Sequence, residues 1–321
     1  MTAPRTRPTS AAGRPARGTR ESQVVALDIG GTKFSAALVG DDGRPGNPVV
    51  VPTPTENVWA ACEELLLTVV ADADVEIDDV TAVGIASAGP VDTVAGTVGP
   101  INIAEWYDGF GIVDAVRGLF PSATVDLALD GACAALAEHR FGAARGHDNV
   151  LGMVVSTGIG GGVILGGRPV SGRSGNAGHV GHIVVPGSVD PCTCGGVGCV
   201  ETVASGPNAV RWARENGWAG ETGVELADSA REGDSLAVAA LQRAGVALGQ
   251  AISSAAALLD LDVAVVGGGF SAAGDALWNP LQETVALHAR LGFLTDFTVV
   301  PAELGGIGTL TGAAVLAHGA A

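Results

Sequence analysis

A glycine-rich turn near the start of the chain combines backbone donors with a carboxylate and a lysine. The run DIGGTK begins at Asp28 and lies between two apolar, strand-like runs. Gly30 and Gly31 let backbone amides approach an anion closely, and Thr32 adds a hydroxyl donor. Asp28 can hold a hydrated Mg2+, and Lys33 is the only lysine in a sequence that otherwise uses arginine. The turn predicts a phosphate and magnesium cradle; an ordinary glycine hairpin is the alternative.

Two further glycine-rich segments follow apolar runs, STGIGGG at residues 156–162 and GGG at residues 267–269. Turns of this kind at strand ends present N–H groups to an anion, although each alone is also consistent with tight backbone packing. Together with the first turn, they fit a nucleotide spread across a cleft between two lobes. The residues expected to contact phosphate in these segments are Thr157, Gly158, Gly160, Gly161 and Gly268.

A cysteine cluster predicts a metal site. Cys192, Cys194 and Cys199 share one glycine-rich loop, and His182 lies ten residues upstream of the first of them. Three thiolates and one imidazole suit tetrahedral Zn2+, and because all four ligands are side chains, we expect a closed, structural site. Free thiols kept reduced are the alternative. The odd total of five cysteines, without an export signal, favours a reducing cytoplasm and metal ligation over disulfides.

Length and charge limit the remaining possibilities. At 321 residues the chain favours two lobes, and no apolar run approaches the roughly 20 residues of a membrane helix, so we expect a soluble protein with no membrane partner. Residues 1–22 are read as a disordered basic tail that holds five arginines. The rest is strongly acidic, since the chain has 34 Asp and Glu against 17 Lys and Arg in total. Such a body should repel a phosphate backbone, so no nucleic acid partner is expected.

The elements that must position these residues alternate between strands and helices. Apolar runs predict strands at residues 24–28, 34–39, 82–86, 125–130, 150–156, 162–165, 263–266 and 297–301. Helical spacing predicts helices at residues 58–71, 112–119, 132–144, 208–215, 235–259, 277–289 and 310–318. Only five residues separate the first two strands, which favours an antiparallel hairpin, and a turn at residues 41–46 leads to a third strand near residues 49–51. The alternation predicts an α/β protein with two covered, largely parallel sheets.

The order and spacing of these motifs resembles the ROK family of repressors, uncharacterised reading frames and kinases, within the sugar kinase, actin and heat-shock chaperone superfamily. The matching stretches are LDIGGTK from residue 27, GIASAGPVD from 84, STGIGGG from 156, GHVGH from 178, CTCGGVGCVE from 192 and VGGG from 266. The resemblance covers nearly everything after residue 22. It implies a two-lobed, ribonuclease H-like (actin-like ATPase) fold with a cleft between a small and a large lobe. Residues 23–129 plus 305–321 would form the small lobe, and residues 130–304 the large lobe with the zinc loop.

The resemblance also implies roles for single residues. Asp130 stands where the family has its catalytic aspartate, which orients a sugar hydroxyl and accepts its proton; an ordinary helix N-cap is the alternative. His179 and Glu201 match positions that contact the sugar. His182 matches a zinc ligand beside the sugar and is expected to contact the sugar as well. Asn102 lies in a loop that approaches the sugar.

Two departures from the family pattern bear on the substrate. The asparagine that precedes the catalytic aspartate is Leu129 here, and the one two positions after it is Ala132. Leucine cannot hydrogen-bond a sugar hydroxyl, so these departures predict a glucokinase-like enzyme with altered sugar specificity. Glutamate is commoner than His179 at its position, and the histidine variant resembles N-acetylmannosamine kinases.

These inferences predict an ATP-dependent kinase that phosphorylates a hexose or N-acetylhexosamine, at C6, with Mg2+ and a structural Zn2+. A cytoplasmic homodimer is expected from the resemblance. One alternative is a sugar-binding pseudokinase, suggested by Leu129 and Ala132. Another is a sugar-responsive regulator without a DNA-binding domain, since only 27 residues precede Asp28. The sugar itself, and whether the donor is ATP or polyphosphate, are left open.

Overall fold

The computed structural model describes residues 22–319, so the predicted basic tail, except for Ser22, lies outside the described residues. The strands of the described chain are β1 (Gln23–Ile29), β2 (Lys33–Leu38), β3 (Val49–Pro52), β4 (Val80–Ser87), β5 (Val91–Asp92), β6 (Thr97–Val98), β7 (Thr124–Leu129), β8 (Val150–Val155), β9 (Ile159–Leu165), β10 (Arg168–Pro169), β11 (Val263–Gly267) and β12 (Thr298–Pro301). The α-helices are α1 (Val58–Asp72), α2 (Ile112–Leu119), α3 (Asp130–Phe141), α4 (Glu201–Ala204), α5 (Gly206–Glu215), α6 (Gly223–Arg231), α7 (Ser235–Leu259), α8 (Asp275–His288) and α9 (Gly308–Ala317).

The first sheet has the strand order β3-β2-β1-β4-β7. β1, β2 and β3 pair antiparallel, which confirms the predicted hairpin and third strand, whereas β4 and β7 join β1 in parallel. Both faces are covered: α1 and α2 contribute to one core, and α9 packs on β1 and β4 on the other side. Burial on both faces explains why these strands read as continuous apolar runs.

The second sheet repeats this arrangement with the order β10-β9-β8-β11-β12. β8, β9 and β10 pair antiparallel, and β11 and β12 continue in parallel. Helix α3 covers one face, while the long helix α7 and its neighbour α8 build the core on the other. The two sheets therefore share one topology. Only the pattern of strand pairing is shared by the two sheets, so no short-period repeat is visible in the amino-acid sequence.

Helices α3 and α9 pack against each other between the two sheets, and glycines bring the backbones together. A Cβ atom on Gly312 of α9 would lie 1.8 Å from the carbonyl oxygen of Cys133 in α3. A Cβ on Gly84 of β4 would lie 1.9 Å from the carbonyl oxygen of Ala313. No side chain fits at either position, so α9 is fixed closely between α3 and the first sheet.

The second glycine segment differs from its prediction as a turn. Only Ser156 to Gly158 form the turn, and Gly160 and Gly161 already lie in β9. The physical reason is packing against α3, because a Cβ on Gly162 would lie 2.4 Å from Cα of Ala132 in that helix. Helix α6 was not predicted, although its capping box of Thr222 and Glu225 is a recognisable start signal.

Helix α7 is, by length and composition, apolar enough to cross a membrane. More than half of its most apolar stretch is buried inside the protein, where Gly245 and Gly249 allow close packing on α8. Length and composition are weak evidence here, since the core helix of a globular protein satisfies the same criteria.

The predicted boundaries of the two lobes stay predictions.

Replacing Gly312 by alanine should destabilise the protein by about 1–3 kcal/mol, because the new methyl group overlaps the Cys133 backbone. Gly118→Ala is the matched control: this glycine of α2 is exposed and has no atom within 4 Å of an added Cβ. The control should gain about 0.5–1 kcal/mol from helix propensity. Urea unfolding of both variants measures the difference, and equal midpoints would contradict the packing described for α9.

Candidate active site

A cavity of about 450 Å³ lies where the carboxyl ends of the two sheets meet. It brings together residues that are far apart in sequence, including most of the predicted site. The predicted residues on its wall are Gly31, Thr32, Asn102, Asp130, Thr157, Gly158, Gly160, Gly161, His179, His182, Cys194 and Glu201. Asp28, Gly30, Lys33 and Gly268 do not line it. Among the described lining residues there is no lysine or arginine.

Asp130 begins α3 directly after β7, so it lies at the joint between the two sheets. Its Oδ1 accepts a hydrogen bond of 2.6 Å from the N–H of Gly131, and Leu129 rather than Asp130 holds the N-cap position. The ordinary N-cap interpretation is therefore wrong. Burial raises the pKa of Asp130 to about 6; the Gly131 N–H opposes this rise, and the nearby Asp28 carboxylate adds to it.

Asp28 lies near the end of β1, is only 7% exposed and sits below the cavity wall. Thr309, at the start of α9, lines the cavity and donates a hydrogen bond of 2.7 Å to its Oδ2. Burial raises the pKa of Asp28, whereas Thr309 and then the charge of Lys33 act against that rise. Lys33 itself is exposed at the start of β2. Thr309 was missed by sequence reasoning because it is 281 positions from Asp28.

The first glycine turn contacts the loop that carries Asn102. The N–H of Gly30 donates to the carbonyl of Lys33 and closes the turn. A Cβ on Gly31 would lie 2.6 Å from Nδ2 of Asn102, so the asparagine side chain rests directly on this glycine. Trp106 anchors the same loop, because its indole stacks on Phe110 with ring centroids 4.5 Å apart and is 1% exposed.

Glu201 supports the second glycine turn from below. It is the first residue of α4, and its Oε2 accepts a hydrogen bond of 2.7 Å from the N–H of Ile159. A Cβ on Gly158 would approach the same oxygen to 2.8 Å. One carboxylate oxygen thus holds the turn. Gly268 also packs closely on its surroundings: its φ is 91°, and a Cβ there would lie 2.4 Å from the carbonyl oxygen of Val155. Its role in phosphate binding stays a prediction.

His179 lies in the cavity wall next to the Gly89 backbone. Partial desolvation of the imidazole lowers its pKa, and nearby His182 contributes, against a smaller opposing effect of Glu201. Desolvation therefore favours the neutral imidazole, which can both accept and donate a hydrogen bond. Leu129 packs on the same glycine: a Cβ on Gly89 would lie 2.7 Å from Cδ2 of Leu129 and 3.2 Å from Cε1 of His179. Leu129 is 2% exposed and acts as an apolar floor.

The predicted zinc ligands come together at the edge of the cavity. The ligand atoms of His182, Cys192, Cys194 and Cys199 all lie within 4.8 Å of one another. Sγ of Cys194 is 3.7 Å from Sγ of Cys199, and Sγ of Cys192 is 3.7 Å from Nδ1 of His182. A tetrahedron of thiolates at Zn–S distances of about 2.3 Å has edges of about 3.8 Å. The donor set and its spacing fit a tetrahedral ion. Such an ion would tie the cysteine loop, residues 192–199, to the turn that carries His179.

A second cavity, of about 590 Å³, opens from the other side of Ser156 and Thr157. Its walls are mainly apolar and come from α5, α6 and the segment after β11. The lining residues include Gly206, Pro207, Val210, Thr222, Ala227, Phe270 and Ala273. Sequence reasoning missed this cavity, because apolar residues of helices carry no chemical signature of their own.

Comparisons with known proteins agree with this architecture. The ROK family model matches residues 24–320. A glucokinase from Thermotoga maritima is 32% identical over 301 residues, which cover 88% of this chain and 93% of that protein. An N-acetylmannosamine kinase from Escherichia coli is 33% identical over 298 residues, which cover 92% and 98%.

A solved structure extends the similarity to three dimensions. A ROK family glucokinase from Streptomyces griseus, in complex with glucose and AMPPNP, superposes with a TM-score of 0.75 at 32% identity. The match covers 92% of this chain and 99% of that one. The match of residues 24–320 to the family model, together with these relatives, shows that the chain belongs to the ROK family.

Proposed function

We propose that this ROK family sugar kinase transfers the γ-phosphate of ATP to a hydroxyl, at C6, of a hexose or N-acetylhexosamine. The observation that carries the proposal is the position of Asp130. Its carboxylate, with a pKa near 6, lines a cavity that both glycine turns also line. A general base for an alcohol and a set of phosphate-binding amides therefore meet in one place.

The two cavities suggest where the nucleotide binds. They share Ser156 and Thr157, so the base and ribose would occupy the apolar second cavity while the phosphates cross this turn toward Gly31 and Thr32. The phosphates would then face a wall without lysine or arginine, so a divalent cation is required to balance their charge. Asp28 is the residue proposed to hold Mg2+ through water. When bound, the ion would neutralise part of the charge that develops on the phosphates.

The sugar would lie between Asp130, His179 and Glu201. A neutral His179 can donate a hydrogen bond to a sugar hydroxyl or accept one from it. Glu201 can still accept hydrogen bonds in addition to the one from the N–H of Ile159. The Asn102 side chain, which rests on Gly31, would also contact the sugar. This contact would link sugar binding to the first glycine turn. Since Leu129 faces this site as an apolar floor, an acetamido methyl group is a suitable neighbour for it.

The transfer itself needs few protein groups. Asp130 accepts the proton of the sugar hydroxyl while the oxygen of that hydroxyl forms a bond to the γ-phosphorus. The bond between the γ-phosphorus and the bridging oxygen breaks, and ADP leaves with that oxygen. The amides of the glycine turns stabilise the charge on the phosphoryl oxygens. Closure of the cleft around both substrates would exclude water and limit ATP hydrolysis.

The alternative of a sugar-binding pseudokinase rests on Leu129 and Ala132. Both side chains are buried in the core beneath the cavity, 2% and 8% exposed, so neither supplies a polar contact to a sugar. A pseudokinase would bind sugar without turnover. The predicted homodimer and the cytoplasmic location stay predictions.

Coupled ADP release from Mg-ATP, measured against hexoses, free aminohexoses and N-acetylhexosamines, should show turnover with one or two acceptors. Asp130→Asn should lower kcat for the best acceptor by about 100- to 10,000-fold, since a general base is lost. Asp126→Asn, at an exposed position of β7, the strand that leads into Asp130, is the control and should be unaffected. Sugar binding without turnover in the wild type would favour the pseudokinase, and equal rates for Asp130→Asn would exclude this base.

The pH profile should carry the signature of Asp130. Only the ionised carboxylate accepts a proton, and its pKa of about 6 reflects burial first, opposed by the Gly131 N–H and raised further by Asp28. Below about pH 6, kcat/KM for the sugar should therefore fall about tenfold per pH unit, and above it the profile should level off. Cys133, His179 and Glu201 are the other titratable groups near this carboxylate. A profile that stays flat to about pH 5 would contradict the assignment.

Protein purified without metal chromatography should contain about one zinc per chain, since three cysteines and one histidine offer four ligands. Cys192→Ser should lose most of this zinc and unfold at lower temperature. Cys62→Ser alters a buried cysteine outside the cluster and should keep the metal. Atomic absorption on the three proteins measures the content; folded wild type without zinc would refute the site.

A further inference from the structure

The hydrogen bond between Thr309 and Asp28 is not predicted by any of the sequence motifs. Thr309 is the second residue of α9 and donates its hydroxyl proton to Oδ2 of Asp28 over 2.7 Å. Its side chain also lines the active-site cavity, although α9 belongs to the far end of the chain. The bond therefore joins the last helix to the first strand at the proposed magnesium carboxylate.

The position of Thr309 is rigidly determined. Helix α9 is held against β4 by the contact of Gly84 with the Ala313 backbone and against α3 by the contact of Gly312 with the Cys133 backbone. Backbones in contact leave little freedom for a helix to shift. A donor on such a helix is better suited to hold another side chain than a donor on a loop.

Asp28 depends more on a neutral donor than on a cation, because the Thr309 hydrogen bond acts on its carboxylate more strongly than the charge of Lys33 does. It is 7% exposed and shares the site with the Asp130 carboxylate, whereas Lys33 is an exposed residue. Within the described residues, Thr309 and Ser35 are the side-chain hydrogen-bond donors that act on this carboxylate, and Thr309 has the larger effect. A hydrogen bond from a hydroxyl to one oxygen of a buried carboxylate fixes the plane of that carboxylate. The lone pairs that remain free to accept then point in defined directions.

We infer that Thr309 is a positioning residue that orients Asp28 for the hydrated Mg2+ of the bound nucleotide. The inference rests on the proposed function through the role given to Asp28. It makes α9 part of the nucleotide site, although its other described residues serve the core. Thr309 touches neither the phosphoryl group nor the sugar hydroxyl in this assignment; it acts through Asp28.

The same helix provides a matched control. Thr311 lies two positions on, is 1% exposed, and its Oγ1 has no hydrogen-bond partner among the described residues. Replacing either threonine by valine keeps the shape and removes one hydroxyl. Only at Thr309 does that change remove a hydrogen bond to the carboxylate.

Calorimetric titration with AMPPNP, with and without Mg2+, tests the inference independently of turnover. In wild type, Mg2+ should raise the affinity for AMPPNP. Thr309→Val should reduce that Mg2+ enhancement by about threefold to tenfold, as expected for one hydrogen bond, and leave affinity without Mg2+ unchanged. Thr309→Ser keeps the hydroxyl and should restore the enhancement. Thr311→Val should behave as wild type.

The outcomes separate this inference from the proposed function. Sugar-dependent ADP release by the wild type, with equal Mg2+ enhancement in Thr309→Val and Thr311→Val, would overturn the role of Thr309 alone. Absence of turnover with every sugar, while Thr309→Val still weakens the Mg2+ enhancement, would overturn the kinase and keep the role of Thr309. If Thr309→Val fails to fold, as judged by thermal unfolding, Thr309→Ser and Thr309→Ala supply the same comparison.

Discussion

The architecture depends on close backbone contact in the double layer formed by α3 and α9. Gly312 meets the Cys133 backbone, Gly84 meets Ala313, and Gly131 meets Gly161, each with no room for a Cβ atom. These contacts fix the separation of the two sheets and the direction in which α3 leaves β7. Because Asp130 is the first residue of α3, the same contacts determine where its carboxylate points. A larger residue at any of these glycines would displace a helix and not only a side chain.

The second constraint is electrostatic. Asp28 and Asp130 lie close enough for the charge of Asp28 to raise the pKa of Asp130, and the described cavity wall contains no lysine or arginine. Two carboxylates in such surroundings are tolerated because neutral donors, the Gly131 amide and the Thr309 hydroxyl, bind one oxygen of each. An acidic cleft of this kind binds anionic phosphates more tightly together with a cation, which couples nucleotide binding to metal binding.

The zinc-type cluster and the sugar wall are parts of one structural unit. His179 and His182 belong to the same short turn, and Glu201 follows Cys199 by two residues while holding the amide of Ile159. A tetrahedral ion on His182 and the three thiolates would therefore fix both the His179 imidazole and the turn at Ser156 to Gly158. Under the proposed function, such an ion would lie beside the reaction centre without taking part in the reaction.

The sequence by itself determined the family, the chemical type of the site and the extent of the main elements. Glycine turns, a cysteine loop and apolar periodicity are local signals, and α2 and α7 were predicted to the residue because their spacing is unambiguous. Tertiary structure alone decided which glycines reach the cavity and which lie away from it: Gly31 lies on the cavity wall, whereas Gly268 lies against the Val155 backbone. It also decided that Leu129 is a buried floor and that Thr309 reaches Asp28 from the last helix. These facts depend on contacts between distant segments, which no local pattern of residues encodes.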